Sequence, residues 1–395
     1  MYAKFATRMD NIKGSAIRAL LKLADQPDII SFAGGFPAPE FFPVKEMELV
    51  SKKVLEEDGM AALQYGPTDG LPALRKHICK LMEPQHIKAD ISEILVTGGS
   101  QQGLDMAGML FIDKGDVVIT ESPSYLGALN AFKAYEPVFV EIEMDEEGML
   151  IDKLEEALEA NKGKVKFIYT IPDFQNPTGR TMAIDRRKKM VELANKYGVY
   201  ILEDNPYGSL RFEGEIHPAI KSFDTEGRVI YLGTMSKIFC PGLRLGWIYG
   251  SPEVINKFNL IKQGVDLQCN SMAQRECATF FDMYDINAHI AKIVETYRNR
   301  RDLMIKTIKE TFPKGVSYTH PEGGLFLWVT LPEGIDSKDV FEKALEKKVA
   351  FVAGEPFYPN GGNANHFRLN YSNMPEDKIV EGTKRLGELL TEMLG

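Results

Sequence analysis

The chain has 395 residues, 44% hydrophobic and 26% charged, with a formal net charge of −9 and a pI near 5.4. That is a globular balance with length for two or three domains, and its acidity gives nucleic acid no electrostatic footing. No apolar run approaches the ~18 residues of a membrane span or the core of a signal peptide, and the four cysteines and six histidines carry no disulfide or zinc spacing, so a reduced, cytoplasmic protein without a metal is expected.

The first predicted element is a helix over residues 14–24, with Ile17, Leu20, Leu21 and Leu23 on one stripe behind a Ser15 cap and Arg18 off that stripe. SFAGGFPAPEFFP (31–43) follows, too rich in Gly and Pro for regular structure, yet aromatic enough to pack against something. A helical stretch runs to about Asp58, Tyr65-Gly66-Pro67 makes a turn, and a helix begins at Leu71. From Ile94 onward short apolar runs alternate with helical segments, as in a mostly parallel α/β sheet. Seven strands are predicted, at 94–97, 117–120, 138–140, 167–171, 200–203, 229–232 and 245–249. The clearest helix spans Ile184 to Tyr197, closed by Gly198. A long amphipathic segment, 287–312, then leads to strands at 326–330 and 367–371 around a helix at 337–347, which reads as a smaller α+β domain. The expected division is an N-terminal segment 1–45 packing with the small domain, a large domain 46–285 and a small domain 286–395.

Six stretches carry chemistry, five of them at the carboxyl ends of successive predicted strands, where open α/β sheets build their ligand crevices. In ILVTGGSQQGLD (94–105), glycines open a helix whose first N–H groups, with Ser100 and Gln101, suit a phosphate. Glu121 ends the next strand, as a dinucleotide fold would ask. The glycines at 98, 99 and 103 nevertheless make no G-x-G-x-x-G frame, and Leu104-Asp105 exclude a Walker A loop. Tyr125, after a Pro-containing turn, offers a face to a planar ligand or joins the core. Asn176, fixed before Pro177, can bond a phenolate-like oxygen or simply mark a turn. Asp204 follows a buried strand and can hold a ring nitrogen protonated, or cap a helix; Tyr207 stands three residues on.

Within RVIYLGTMSKIFCPGLRLGWIYG (228–250), Lys237 lies between two apolar strands beside Thr234, Ser236 and Arg244. Poor solvation and a neighbouring arginine disfavour its ammonium form, which makes the amine a nucleophile for a carbonyl. In HFRLNYS (366–372), Arg368 presents either a fork for a carboxylate or a solvated edge-strand cation.

These motifs resemble the fold-type I pyridoxal-phosphate enzymes, specifically the class I/II aminotransferases, over nearly the whole chain. The similarity rests on SFAGGFPAPEFFP, LQYGPTDGLPALR, GGSQQGLD, ESPSY, FQNPTG, EDNPY, GTMSKIFCPGLR and FRLNYS, and it points to the 2-aminoadipate aminotransferase branch. The resemblance implies pyridoxal 5′-phosphate held covalently by Lys237. Ser100, Gln101, Thr234, Ser236 and Arg244 would bind its phosphate, Tyr125 its ring face, Asn176 and Tyr207 its phenolic oxygen, and Asp204 its nitrogen. It implies that Arg368, with Asn176 and the backbone near Gly35, clamps the substrate carboxylate, and that Arg18 reads a distal carboxylate. Tyr65 would reach the phosphate of a second subunit, so a homodimer is expected. The implied reaction is ping-pong amino transfer between an L-amino acid (2-aminoadipate, aromatic or branched-chain) and a 2-oxo acid such as 2-oxoglutarate. A lyase or decarboxylase on this fold and a pyridoxal-phosphate-binding regulator domain are the alternatives. Thr234 departs from the serine usual in the family but keeps the hydroxyl.

Overall fold

The computed structural model describes residues 4–10 and 28–394. The first predicted helix, with Arg18, lies outside the described residues. Among the described residues the elements run β1 (Ile30–Ser31), α1 (Val44–Ala62), α2 (Pro72–Met82), β2 (Ile94–Thr97), α3 (Ser100–Phe111), β3 (Val117–Ser122), α4 (Leu126–Lys133), β4 (Val138–Asp145), β5 (Gly148–Met149), α5 (Ile151–Ala160), β6 (Val165–Thr170), α6 (Ile184–Tyr197), β7 (Tyr200–Asp204), β8 (Val229–Thr234) and β9 (Gly246–Tyr249). They continue with α7 (Pro252–Val265), α8 (Ser271–Met283), α9 (Ile286–Thr311), β10 (Ser317–Tyr318), β11 (Phe326–Thr330), α10 (Ser337–Glu346), β12 (Val349–Ala350), β13 (Val352–Ala353), β14 (His366–Asn370) and α11 (Glu376–Leu394).

The central sheet has the order β2-β9-β8-β7-β6-β3-β4-β5. Neighbours from β8 through β4 pair in parallel, while β9 is antiparallel to both β2 and β8. Alternate residues feed two cores. Val118, Phe167, Leu202 and Ile230 enter one, and Ile119, Ile168, Ile201 and Val229 the other. Burial on both faces explains why these strands read as continuous apolar runs. Each such side chain contributes ~1.5–3 kcal/mol of hydrophobic stabilisation.

The sheet has eight strands where the sequence predicts seven. β5 is a two-residue strand pairing antiparallel with the end of β4, Met144 opposite Met149. β4 also runs five residues beyond its expected end, because Glu141, Glu143 and Asp145 look unlike a strand. They are tolerated here since β4 is half-exposed along most of its length. Gly198 closes α6 in the left-handed conformation (φ 69°), as its sequence suggests.

A second, antiparallel sheet of order β10-β11-β14-β13 carries α9, α10 and α11 nearby in sequence. The N-terminal segment joins it. β1 pairs in parallel with β12, Ile30 opposite Val349, and the chain continues along the same path. Phe32 N–H donates to Ala350 O (2.8 Å), Asn370 N–H donates to Phe32 O (2.9 Å), and the Ser372 hydroxyl donates to Phe36 O (2.7 Å). This lacing sets Gly35 between the two sheets. No helix among the described residues is long and apolar enough to cross a membrane.

Candidate active site

The carboxyl ends of β3, β6, β7 and β8 open on one cavity of about 390 Å³, within the range of small-molecule sites. Every predicted site residue among the described residues except Tyr65 lines it.

On one wall, Gly99 precedes α3 at φ +87°, a conformation open to glycine. A Cβ there would stand 2.7 Å from an Arg244 guanidinium nitrogen. Arg244, itself left-handed at φ 52°, donates to Gly98 O (3.0 Å). The Ser236 hydroxyl lies 3.0 Å from the Thr234 hydroxyl, and Ser236 N–H donates to it as well (3.1 Å). Two hydroxyls, a guanidinium and the N-terminus of a 12-residue helix therefore converge. That is the donor set of an anion site.

Lys237 Nζ donates to Gly35 O (2.8 Å) and its pKa is pushed down to about 8. Burial is the main cause, followed by Arg368 and then Arg244, while Asp204 opposes them. The sequence singles out Arg244, a near neighbour along the chain. Space gives the far more distant Arg368 the larger effect.

Asp204, 1% exposed at the end of β7, accepts from the Tyr169 hydroxyl through Oδ2 (3.0 Å). Burial pushes its carboxyl up to about 7, and among the described residues its buried Oδ1 finds no donor. Asn176 uses both ends of its amide. It donates to the Tyr207 hydroxyl (3.3 Å) and accepts from Arg368 (2.8 Å). Arg368 donates its second terminal nitrogen to Ala33 O (2.7 Å) and stacks 4.1 Å over the Phe326 ring. Its Nε is buried without a partner among the described residues.

Residues 34–386 match the family model described as aminotransferase class I and II. The aromatic-amino-acid aminotransferase 1 of Thermococcus litoralis is 49% identical, the match covering 98% of this chain and 94% of that protein. The chain belongs to the class I and II aminotransferases. The kynurenine aminotransferase of Pyrococcus horikoshii, solved in complex with PMP, KYN and KYA, superposes with a TM-score of 0.95 at 45% identity, over 99% of this chain and 98% of that one. The α-aminoadipate aminotransferase of Thermus thermophilus, solved with N-(5′-phosphopyridoxyl)-L-leucine, gives 0.92 at 37% identity, over 99% and 98%.

This aminotransferase thus has fold-type I architecture and pyridoxal phosphate as its cofactor, and its own residues fit that group. A buried carboxylate with one empty oxygen suits a protonated ring nitrogen, and the anion site lines the same cavity. A buried amine with a depressed pKa suits an aldehyde.

Tyr65 stands apart from the cavity at 78% exposure. Sequence reasoning also missed several contributors. Tyr169 is read as a core strand residue, and alternation along β6 gives no sign that its hydroxyl meets Asp204. Phe326, under Arg368, and the Ala33 carbonyl are joined to the site by contacts too distant in sequence to pair. Glu121, weighed as a ribose reader, is a buried acceptor for Thr170, Gln175 and the Ile171 N–H.

Proposed function

We propose that this aminotransferase moves an amino group between an aromatic amino acid or 2-aminoadipate and a 2-oxo acid such as 2-oxoglutarate, by a ping-pong mechanism. The observation that carries the reading is the convergence of Lys237, Asp204 and Arg368 on one cavity, with Asp204 Oδ1 and Arg368 Nε both buried and without a partner among the described residues. The cavity walls also include Phe36, Leu126 and Phe326, which favours an aromatic or aliphatic substrate side chain. The names of the relatives support both aromatic and aminoadipate donors. Among the described lining residues the cations are Lys237, Arg244 and Arg368. Recognition of a distal carboxylate therefore falls to Arg18 in this reading.

Bound pyridoxal phosphate supplies the electron sink that makes the substrate Cα proton acidic. Ser100, Gln101, Thr234, Ser236 and Arg244 hold the phosphate, and Tyr125 covers the ring. Asn176 and Tyr207 bond the phenolic oxygen, and Asp204 holds the ring nitrogen protonated. Arg368 and Asn176 orient the substrate carboxylate, which aligns the Cα–H bond toward Lys237. Its amine is placed to take that proton from Cα as the general base.

The reading includes a homodimer in which Tyr65 reaches the phosphate of the second copy. Its support is a held but outward ring: Gly66 N–H donates to Gln268, Ser271 donates to Gln64 O (3.0 Å), and Met60 and Leu63 beside it are 93% and 78% exposed. It also divides the chain into the segment 1–45, a large domain 46–285 and a small domain 286–395, supported by the β1–β12 pairing.

Half-reactions of the holoenzyme with single amino acids, followed at the bound cofactor's absorbance and repeated with Arg18→Ala, test the substrate without a shared acidic acceptor. Expected is a loss confined to 2-aminoadipate and glutamate; an equal loss for aromatic donors rejects the role of Arg18. Amino acid supplied alone should release one 2-oxo acid per site, and release of carbon dioxide or ammonia instead would reject amino transfer.

A further inference from the structure

Glu121 and Gln175 are buried, at 1% and 2% exposure, and neither lines the cavity. They join the two loops that do. Glu121 sits four residues before Tyr125, and Gln175 immediately before Asn176. The Gln175 amide is fully used: Nε2 donates to Glu121 (3.0 Å) and to Pro123 O (2.8 Å), while Oε1 accepts from Thr178 N–H (3.0 Å) and the Thr178 hydroxyl (2.7 Å). Glu121 accepts further from the Thr170 hydroxyl (2.5 Å) and Ile171 N–H (3.3 Å).

No cation pairs with Glu121 among the described residues, and burial pushes its carboxyl up to about 7. Its two oxygens divide the donors: Oε1 faces only the Thr170 hydroxyl, while Oε2 accepts from both the Gln175 amide and Ile171 N–H. Glu121 Oε2 and Pro123 O thus give Gln175 Nε2 two acceptors, which leaves Oε1 of Gln175 toward Thr178. Glu121 therefore fixes which way the Gln175 amide points, and Gln175 in turn fixes the Thr178 turn around Asn176.

We propose that the Glu121–Gln175 pair is the positioning element that sets Asn176, and through it Arg368 and Tyr207, against Tyr125 on the opposite loop. Both residues act through others and touch neither substrate nor cofactor. The proposal rests on the reading of Asn176 as a contact of the substrate carboxylate and the phenolic oxygen.

The test compares Glu121→Leu, Gln175→Leu, the double variant, Glu121→Gln and Asn176→Ala in the holoenzyme. Readouts are kcat, KM for the amino donor, the pH midpoint of the bound cofactor's absorbance, the cofactor dissociation constant and the melting temperature. Each leucine variant should raise KM about tenfold and shift the absorbance midpoint upward, and cofactor affinity should fall less than threefold because the phosphate donors lie elsewhere. Glu121→Gln, whose amide oxygen can still accept from Gln175 and Ile171 N–H with its NH₂ on the Thr170 hydroxyl, should stay within threefold of the parent. The two leucine changes act on one link, so the double variant should lose no more than the worse single. Leucine variants that lower the melting temperature while KM and midpoint stay within twofold of the parent overturn the proposal, as do a double variant whose losses add and a Glu121→Gln as impaired as Glu121→Leu. Should a leucine variant fail to fold, Thr178→Val removes one donor to Gln175 at constant shape. It should move KM and midpoint in the same direction, and no movement overturns the proposal. If Asn176→Ala itself leaves KM and midpoint unchanged, the reading of Asn176 falls and the proposal with it; if Asn176→Ala acts and the leucine variants do not, the proposal alone falls.

Discussion

The poise of Lys237 has a consequence for stability that separates it from the rest of the molecule. In the apoenzyme the amine titrates near 8, against an ordinary value of 10.5, because burial and the guanidinium groups of Arg368 and Arg244 disfavour its charge. A folded-state pKa below the unfolded one means that the unfolded chain holds the extra proton between pH 8 and 10.5. Stability then rises with pH across that window and is flat below it. The difference between 10.5 and about 8 corresponds to about 3 kcal/mol, an upper figure because Lys237 keeps some exposure to the cavity. The perturbation is Lys237→Met, which keeps the packed stem and removes the amine. Urea unfolding of the two apoproteins at pH 7.5 and pH 10.5 measures the effect, and taking their difference cancels the tyrosines and cysteines that titrate in the same range. The parent should gain about 3 kcal/mol on the variant as pH rises. The capture rate of pyridoxal phosphate by the parent should rise in the adjoining lower window, as pH approaches 8, and level above it, because the free amine is the attacking form. Parallel unfolding curves and a flat capture rate would refute the account of a desolvated lysine.

Three further outcomes follow from the same geometry. Arg368→Lys keeps the charge but loses the fork that spans Asn176 and Ala33 O, so KM for the amino donor should rise ten- to a hundredfold, equivalent to ~1.4–3 kcal/mol, in steady-state assays. Asp204→Asn removes the carboxylate proposed to hold the ring nitrogen protonated, and leaves Ser100, Thr234, Ser236 and Arg244 untouched; single-turnover assays should show the chemical step slowed at least a hundredfold, with cofactor still bound. Gly99→Ala forces a left-handed alanine 2.7 Å from Arg244, and fluorescence titration should find cofactor affinity down about tenfold with a lower melting temperature.

Much of the site was legible because its chemistry is local. Each motif couples a run of strand residues to a glycine, proline or hydroxyl within a few positions, and the parallel order of β3, β6, β7 and β8 then brings those ends together without further information. Edge strands were less legible for the opposite reason. β4 carries acidic residues that an exposed strand accepts and a buried one refuses, so its length depends on where the sheet ends.

The contacts that tune the site were the least legible, since tuning depends on what lies nearby in space. Arg244 is the arginine that sequence spacing offers to Lys237, yet Arg368 acts on it more strongly. Arg368 is held in turn by Ala33 O, 335 positions away, and stacked on Phe326. The lacing of residues 30–36 along β12 and β14 creates that proximity and also delivers Gly35 O to Lys237. The N-terminal segment therefore does more than cover the cavity. By fixing Arg368 beside the amine it helps lower the pKa of Lys237, and by supplying Gly35 O it gives the amine an acceptor from which binding must release it.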